Sequence, residues 1–142
     1  MTQHQHQSIA HMIAAPLLGK TLTGSGLVLA EWTADGCPPD TEPMRMAPLH
    51  RHLEDDEAWY VLEGTLAFQL GDEIIEADSG SAVLAPRGVK HTFWNPKQAP
   101  ARYLIIMTKR ISELIDAIHA TEQRDSATMQ ALFARYGSEL LG

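Results

Sequence analysis

Hydrophobic and polar positions alternate along most of the first 110 residues, and a period of two predicts strands. Leu27-Val28-Leu29-Ala30-Glu31-Trp32 is rich in strand formers, and Thr33 to Pro43, with Asp35-Gly36 and Pro38-Pro39, reads as loop. Glu57 to Glu63 carries Trp59, Tyr60, Val61 and Leu62 and stops at Gly64, as a strand entering a turn does. If Glu57 points inward, Trp59 and Val61 do too, leaving Tyr60 and Leu62 outward for another sheet or subunit to cover. In Thr65 to Leu70 the apolar face is Leu66, Phe68 and Leu70, and Gly71-Asp72 is a two-residue hairpin returning into Glu73-Ile74-Ile75-Glu76. Asp78-Ser79-Gly80 turns the chain again, Ser81 to Ala85 follows, and Arg102 to Thr108 closes the series as an apolar strand. Short strands at close, even spacing indicate a β-sandwich or barrel.

The period changes after Arg110. Ile111, Leu114, Ile115 and Ile118 recur at helical spacing, and Met129, Leu132, Phe133, Tyr136 and Leu140 do so again, which predicts two amphipathic helices. Asp125 or Ser126 is the expected N-cap of the second and Gly137 its expected stop. The chain therefore divides into an N-terminal segment, partly flexible, over residues 1–20, a β barrel over 21–110 and a helical extension over 111–142, expected to lie on the outside of the barrel in preference to forming a lid or a dimer arm.

Composition narrows the classes. A chain of 142 residues builds one domain with a real core. A formal charge of −7 without a Lys/Arg cluster argues against nucleic acid and against an anionic membrane surface. The single cysteine, Cys37, allows no disulfide network and fits a reducing cytoplasm; with two prolines beside it and no base or second thiol nearby, it is read as a structural or incidental thiol. Met12 to Leu18 is apolar but lacks a preceding basic residue and contains Pro16, so neither a signal peptide nor a membrane span is expected. Gly19-Lys20-Thr21 lacks the earlier glycine of a phosphate-binding loop, position 14 being alanine.

The candidate chemistry lies between Pro48 and Asn95. His50-Arg51-His52 puts two imidazoles on one face of a strand. Leu53 to Asp56 is too acidic and too poor in β-branched residues to continue that strand, so it is read as a turn or bulge that resets the register and lets Glu57 face inward. His91 arrives on a separate strand after the tight turn Pro86-Arg87-Gly88, and the alternation from it puts Phe93 and Asn95 on the same side. Three nitrogens and one oxygen then converge. His4, His6, His11 and His119 are read as ordinary histidines.

These residues resemble the two motifs of the cupins. His50, His52, Glu57 and Gly64 fall at the spacings of the first, and Gly80, Pro86, Gly88, His91 and Asn95 match every position of the second. Met44 stands where the first motif opens on glycine, a turn position and not a ligand. The resemblance implies a jelly-roll barrel and a metal held by His50, His52, Glu57 and His91. It also implies a homodimer.

Such a donor set suits one divalent transition metal, Fe, Mn, Ni, Cu or Zn, and does not choose among them. Four protein ligands leave an octahedral metal two open positions for a small-molecule substrate, or for a substrate oxygen and dioxygen. Trp59, Val61, Phe68 and Phe93, with Asn95, are expected to line the pocket, and apolar walls favour an aromatic or enol-like substrate over a free sugar. Three functions stay open. The resemblance to the quercetin-dioxygenase-like group implies a metal-dependent dioxygenase; the second is an isomerase or lyase acting on a sugar or keto acid, for which no extra base is evident; the third is a non-catalytic binding module.

Overall fold

A computed structural model describes residues 12–13 and 17–142. The readings made of the first 11 residues, including His4, His6 and His11, and of Pro16 lie outside the described residues. Among the described residues the chain forms ten strands and two helices. The strands are β1 (Thr21–Thr23), β2 (Leu27–Ala34), β3 (His50–His52), β4 (Glu57–Glu63), β5 (Thr65–Leu70), β6 (Glu73–Asp78), β7 (Ala82–Ala85), β8 (His91–Trp94), β9 (Ala101–Thr108) and β10 (Ser138–Leu140). The helices are α1 (Lys109–Ala120) and α2 (Ser126–Arg135).

Two five-stranded antiparallel sheets face each other, ordered β1-β2-β9-β4-β7 and β10-β3-β8-β5-β6. From β3 onward the chain passes repeatedly from one sheet to the other, the path of a jelly roll. Alternation decides what goes between the sheets: along β9, Ala101, Tyr103, Ile105 and Met107 are buried while the residues between them are half-exposed. They join Val28, Trp59, Val61, Leu66, Phe68, Val83 and Phe93 in one core. The β5–β6 connection is the expected two-residue hairpin, with Leu70 opposite Glu73 and Gly71 at φ +63°. Gly64 ends β4 at φ +83°, and an added Cβ would stand 2.8 Å from the Pro100 carbonyl oxygen, so both its backbone and its surroundings require glycine.

Two expectations change. Leu53 to Asp56 is a crossover that carries the chain from β3 in one sheet to β4 in the other, not a bulge within one ladder. Its two aspartates hold that path. Asp56 accepts from the Arg87 amide at 2.8 Å, and buried Asp55 receives Arg110 Nε at 2.9 Å. The second helix ends at Arg135, because Gly137 takes φ +67° and turns the chain back as β10 against β3. Leu140 thus reaches the small core of Leu114, Leu132 and Phe133 from a strand rather than from a helical stripe.

The helices begin as their caps dictate. Thr108 accepts from the Ile111 amide, and Asp125 accepts from the Thr128 amide at 2.9 Å. Their apolar faces do not rest on the outside of the barrel. Ile111, Leu114, Ile115 and Ile118 of α1 and Phe133 of α2 line a cavity that reaches into the barrel interior, so the pair walls its open end.

Candidate metal centre

His50, His52, Glu57 and His91 are all buried, and one donor atom from each lies within 4.8 Å of every other. Each sheet contributes: β3 and β8 supply the imidazoles, and β4 brings the carboxylate across from the opposite sheet. The single ladder pair of β3 and β8 is His50 with His91, and His52 is two positions on, facing the same way. Glu57 follows as the first residue of β4.

Each imidazole is anchored through its δ nitrogen. His50 Nδ1 lies 2.6 Å from the Pro48 carbonyl oxygen and His91 Nδ1 3.0 Å from that of Val89. A carbonyl only accepts, so these δ nitrogens carry hydrogens, and in the neutral form of such a ring the lone pair is on the ε nitrogen. His52 Nδ1 is 2.7 Å from Ser138 Oγ. On the inner side, His52 Nε2 and His91 Nε2 both lie 3.1 Å from Glu57 Oε1. Lone pairs and a carboxylate at that distance repel unless a cation or protons sit between them.

The electrostatics carry the same message. Burial lowers the His50 pKa to about 4, helped by the positive charge that His91 and His52 can carry. Burial would raise Glu57, but hydrogen bonds and charge from His52 and His91 outweigh it and lower the carboxyl to about 2. A carboxylate kept ionised, with the His50 imidazole kept neutral beside it, suits a divalent-cation donor set.

The cavity above the donors has a volume of about 460 Å³. Its walls include Trp59 and Phe93 together with Trp32, Tyr103, Ile105 and Phe133. The other three residues expected there lie elsewhere. Phe68 stacks behind Phe93, with ring centroids 5.5 Å apart, and Val61 is fully buried in the core. Asn95 is turned into a loop junction, where its amide donates to the carbonyls of Asp35 and Ala99 at 3.2 and 2.8 Å and its Oδ1 accepts from the Lys97 amide. Its place in the second motif therefore reflects a loop clasp.

Residues the sequence reading missed are Ser138, Tyr103, Phe133 and His119. Tyr103 follows from the alternation of β9, which places it inward with Ile105. Burial, and then the charge of Glu57, raise its pKa, so the phenol stays protonated. Phe133 meets the His50 ring edge-on at 5.5 Å, and His119 lies exposed at the cavity's rim. No sequence signal announced Ser138.

A family model for the cupin domain matches residues 40–107. The chain carries a cupin domain. Among solved structures with this cupin fold, protein TT1209 of Thermus thermophilus is 21% identical, with a TM-score of 0.53 over 66% of this chain and 85% of that one. A cupin-2 domain protein of Shewanella frigidimarina is 20% identical, with a TM-score of 0.50 over 65% of this chain and 82% of that one. A variant of the salicylate 1,2-dioxygenase of Pseudoaminobacter salicylatoxidans is 17% identical, with a TM-score of 0.51 over 64% of this cupin and 25% of that longer chain. These likenesses extend to the fold. No curated protein matches the sequence. Among the described residues no helix of this cupin is long and apolar enough to cross a membrane.

Proposed function

We propose that this cupin binds one divalent transition metal through His50, His52, Glu57 and His91 and acts as a metal-dependent dioxygenase-type oxidoreductase on a small aromatic or enol-like substrate. The observation that carries the metal reading is the outward commitment of the δ nitrogens of His50 and His91, which leaves ε lone pairs facing an ionised Glu57. A divalent cation satisfies all of these donors at once. When bound, a redox-active metal would supply the electron exchange with dioxygen that a dioxygenase reaction requires.

The chain's own residues select the substrate. Trp32, Trp59, Phe93, Ile105, Ile115 and Phe133 offer a flat or branched apolar body an apolar enclosure, and among the described residues lining it there is no Lys or Arg to hold a phosphate or a free carboxylate. Tyr103, protonated and buried, is placed to donate a hydrogen bond to a substrate oxygen. An isomerase needs a base within reach of the substrate. Among the described residues lining the cavity, the only ionisable groups besides the four donors are Tyr103, held protonated, and His119, exposed on α1.

Oxygen consumption with catechol-like and β-diketone compounds tests this reading, run on protein loaded in turn with Fe(II), Mn(II), Ni(II), Cu(II) and Zn(II). Uptake with a redox metal and none with zinc is expected. Equal turnover with zinc in the absence of oxygen would remove the oxygenase reading and favour the isomerase.

The proposal includes a homodimer and a cytoplasmic site of action. Outward residues form one row across all five strands of the first sheet: Leu22 pairs with Leu29, Leu29 with Ile106, Ile106 with Ala58 and Ala58 with Leu84. A second copy of the same row is its natural cover, since a two-fold contact sets a patch against itself. Cys37, the single cysteine and unpaired, accords with a reducing compartment.

A further inference from the structure

We propose that Ser138, on the last strand, is a positioning residue of the metal centre: its hydroxyl fixes the orientation and tautomer of His52, so that the C-terminal extension completes the site. The inference rests on the metal reading above and adds to it a residue outside the matched cupin domain.

Two of the three imidazoles are oriented locally. His50 and His91 each hold their δ hydrogen against the carbonyl two residues upstream, on the chain that carries the ring. His52 instead reaches a hydroxyl 86 residues away at 2.7 Å, with both residues buried. A hydroxyl alone could donate or accept. With a metal on Nε2 the His52 hydrogen lies on Nδ1, so Ser138 Oγ accepts it at 2.7 Å, and the hydroxyl's own hydrogen has the Tyr136 carbonyl, 3.4 Å away, as its acceptor. The lone pair of His52 then lies on Nε2, toward Glu57 and the other donors. Groups holding the far nitrogen of a ligating imidazole typically matter about 10-fold to 100-fold in metal affinity.

The backbone is built to keep that hydroxyl in place. In the β3–β10 ladder Ser138 stands directly opposite His52 and Leu140 opposite His50. Hydrogen bonds on either side clamp the strand: Leu53 N to the Gly137 carbonyl at 2.9 Å and Leu141 N to that of Leu49 at 2.8 Å. Gly137 at φ +67° delivers the chain from α2 into this register.

The test compares zinc binding by calorimetry in the full chain and in Ser138→Ala, Ser138→Thr and Glu139→Ala. The last removes the exposed partner of Arg51 from the same strand without touching the centre. Ser138→Ala should bind zinc about 10-fold to 100-fold more weakly, Ser138→Thr should recover most of the loss, and Glu139→Ala should match the wild type. In zinc-loaded, nitrogen-labelled protein, the His52 Nδ1–H should exchange slowly with water in the wild type and rapidly in Ser138→Ala. Unchanged affinity and exchange in Ser138→Ala, with normal wild-type binding, would overturn this inference alone. An equal loss in Glu139→Ala would assign the effect to strand docking and overturn it too. No zinc binding by the wild type would overturn the metal reading itself, and this inference with it.

Discussion

His50 and His91 stand directly opposite each other across β3 and β8, with ring centroids 4.4 Å apart. Two buried rings at that distance do not both take protons readily, and the His50 pKa falls to about 4 from 6.5, through burial first and His91 second. The unfolded chain therefore binds protons that the native chain refuses, and stability falls as pH drops from about 6.5 to about 4. Glu57, lowered from 4.5 to about 2, continues the loss through the more acid range. The metal-free protein should show a melting temperature that declines steadily below pH 6.5, and His50→Gln should flatten the upper part of the curve. A flat profile between pH 6.5 and 4 would refute the coupling.

Removing one donor should remove metal and stability together. His50→Ala or His91→Ala should purify with little metal and lose the melting-temperature increase that added metal gives the wild type, because a ligand held by the native state alone stabilises it. At a free concentration 100 times its dissociation constant that stabilisation is about 2.7 kcal/mol. Elemental analysis beside thermal melts reads both. Full metal occupancy in the two variants would show that other groups hold the ion.

Phe133 ties the extension to the barrel. Fully buried, it closes the small helical core and rests edge-on against His50. Phe133→Ala should cost about 3–5 kcal/mol, the usual range for truncating a buried aromatic, and should enlarge the cavity on the side of α2. A bulkier apolar ligand should then bind relatively better than in the wild type. Denaturant melts and ligand titration check this, and an unchanged denaturation midpoint would contradict the packing described.

The donors were legible from sequence because strand geometry is local. His50 and His52 share a face by alternation, and the glycine and proline spacing around Pro86 and Gly88 placed His91 at the head of its own strand. Alternation says which way a side chain points but not how near it comes to one end of a barrel. Val61 and Phe68 both point inward, yet they sit behind the cavity wall. Asn95 lies just beyond the end of β8, where the alternation no longer applies. Ser138 was out of reach for a different reason: its contact spans 86 residues, and a three-residue strand is too short to show a period. Leu140 fell on the helical stripe of α2 by coincidence of spacing, although Gly137 already marked the stop.

The same register arithmetic makes the outer face of the first sheet testable. Leu22, Leu29, Ile106, Ala58 and Leu84 form one transverse row, and Tyr60 and Leu104 stand opposite each other in the next. Leu84 is 53% exposed and Tyr60 39%, a large apolar area for a monomer to leave in water. Arg102, at the edge of this face, is already neutralised by Glu31 at 3.0 Å, so two copies could meet there without burying an unpaired cation. Ile106→Glu, placed mid-row between Leu29 and Ala58, should convert a dimer to a monomer in sedimentation velocity. Its side chain faces away from the cavity, so metal content should not change. Leu84→Glu, at the end of the row, should weaken the dimer less. Wild-type protein that sediments as a monomer at every concentration would remove the interface, while a dimer that survives Ile106→Glu would move it to another face.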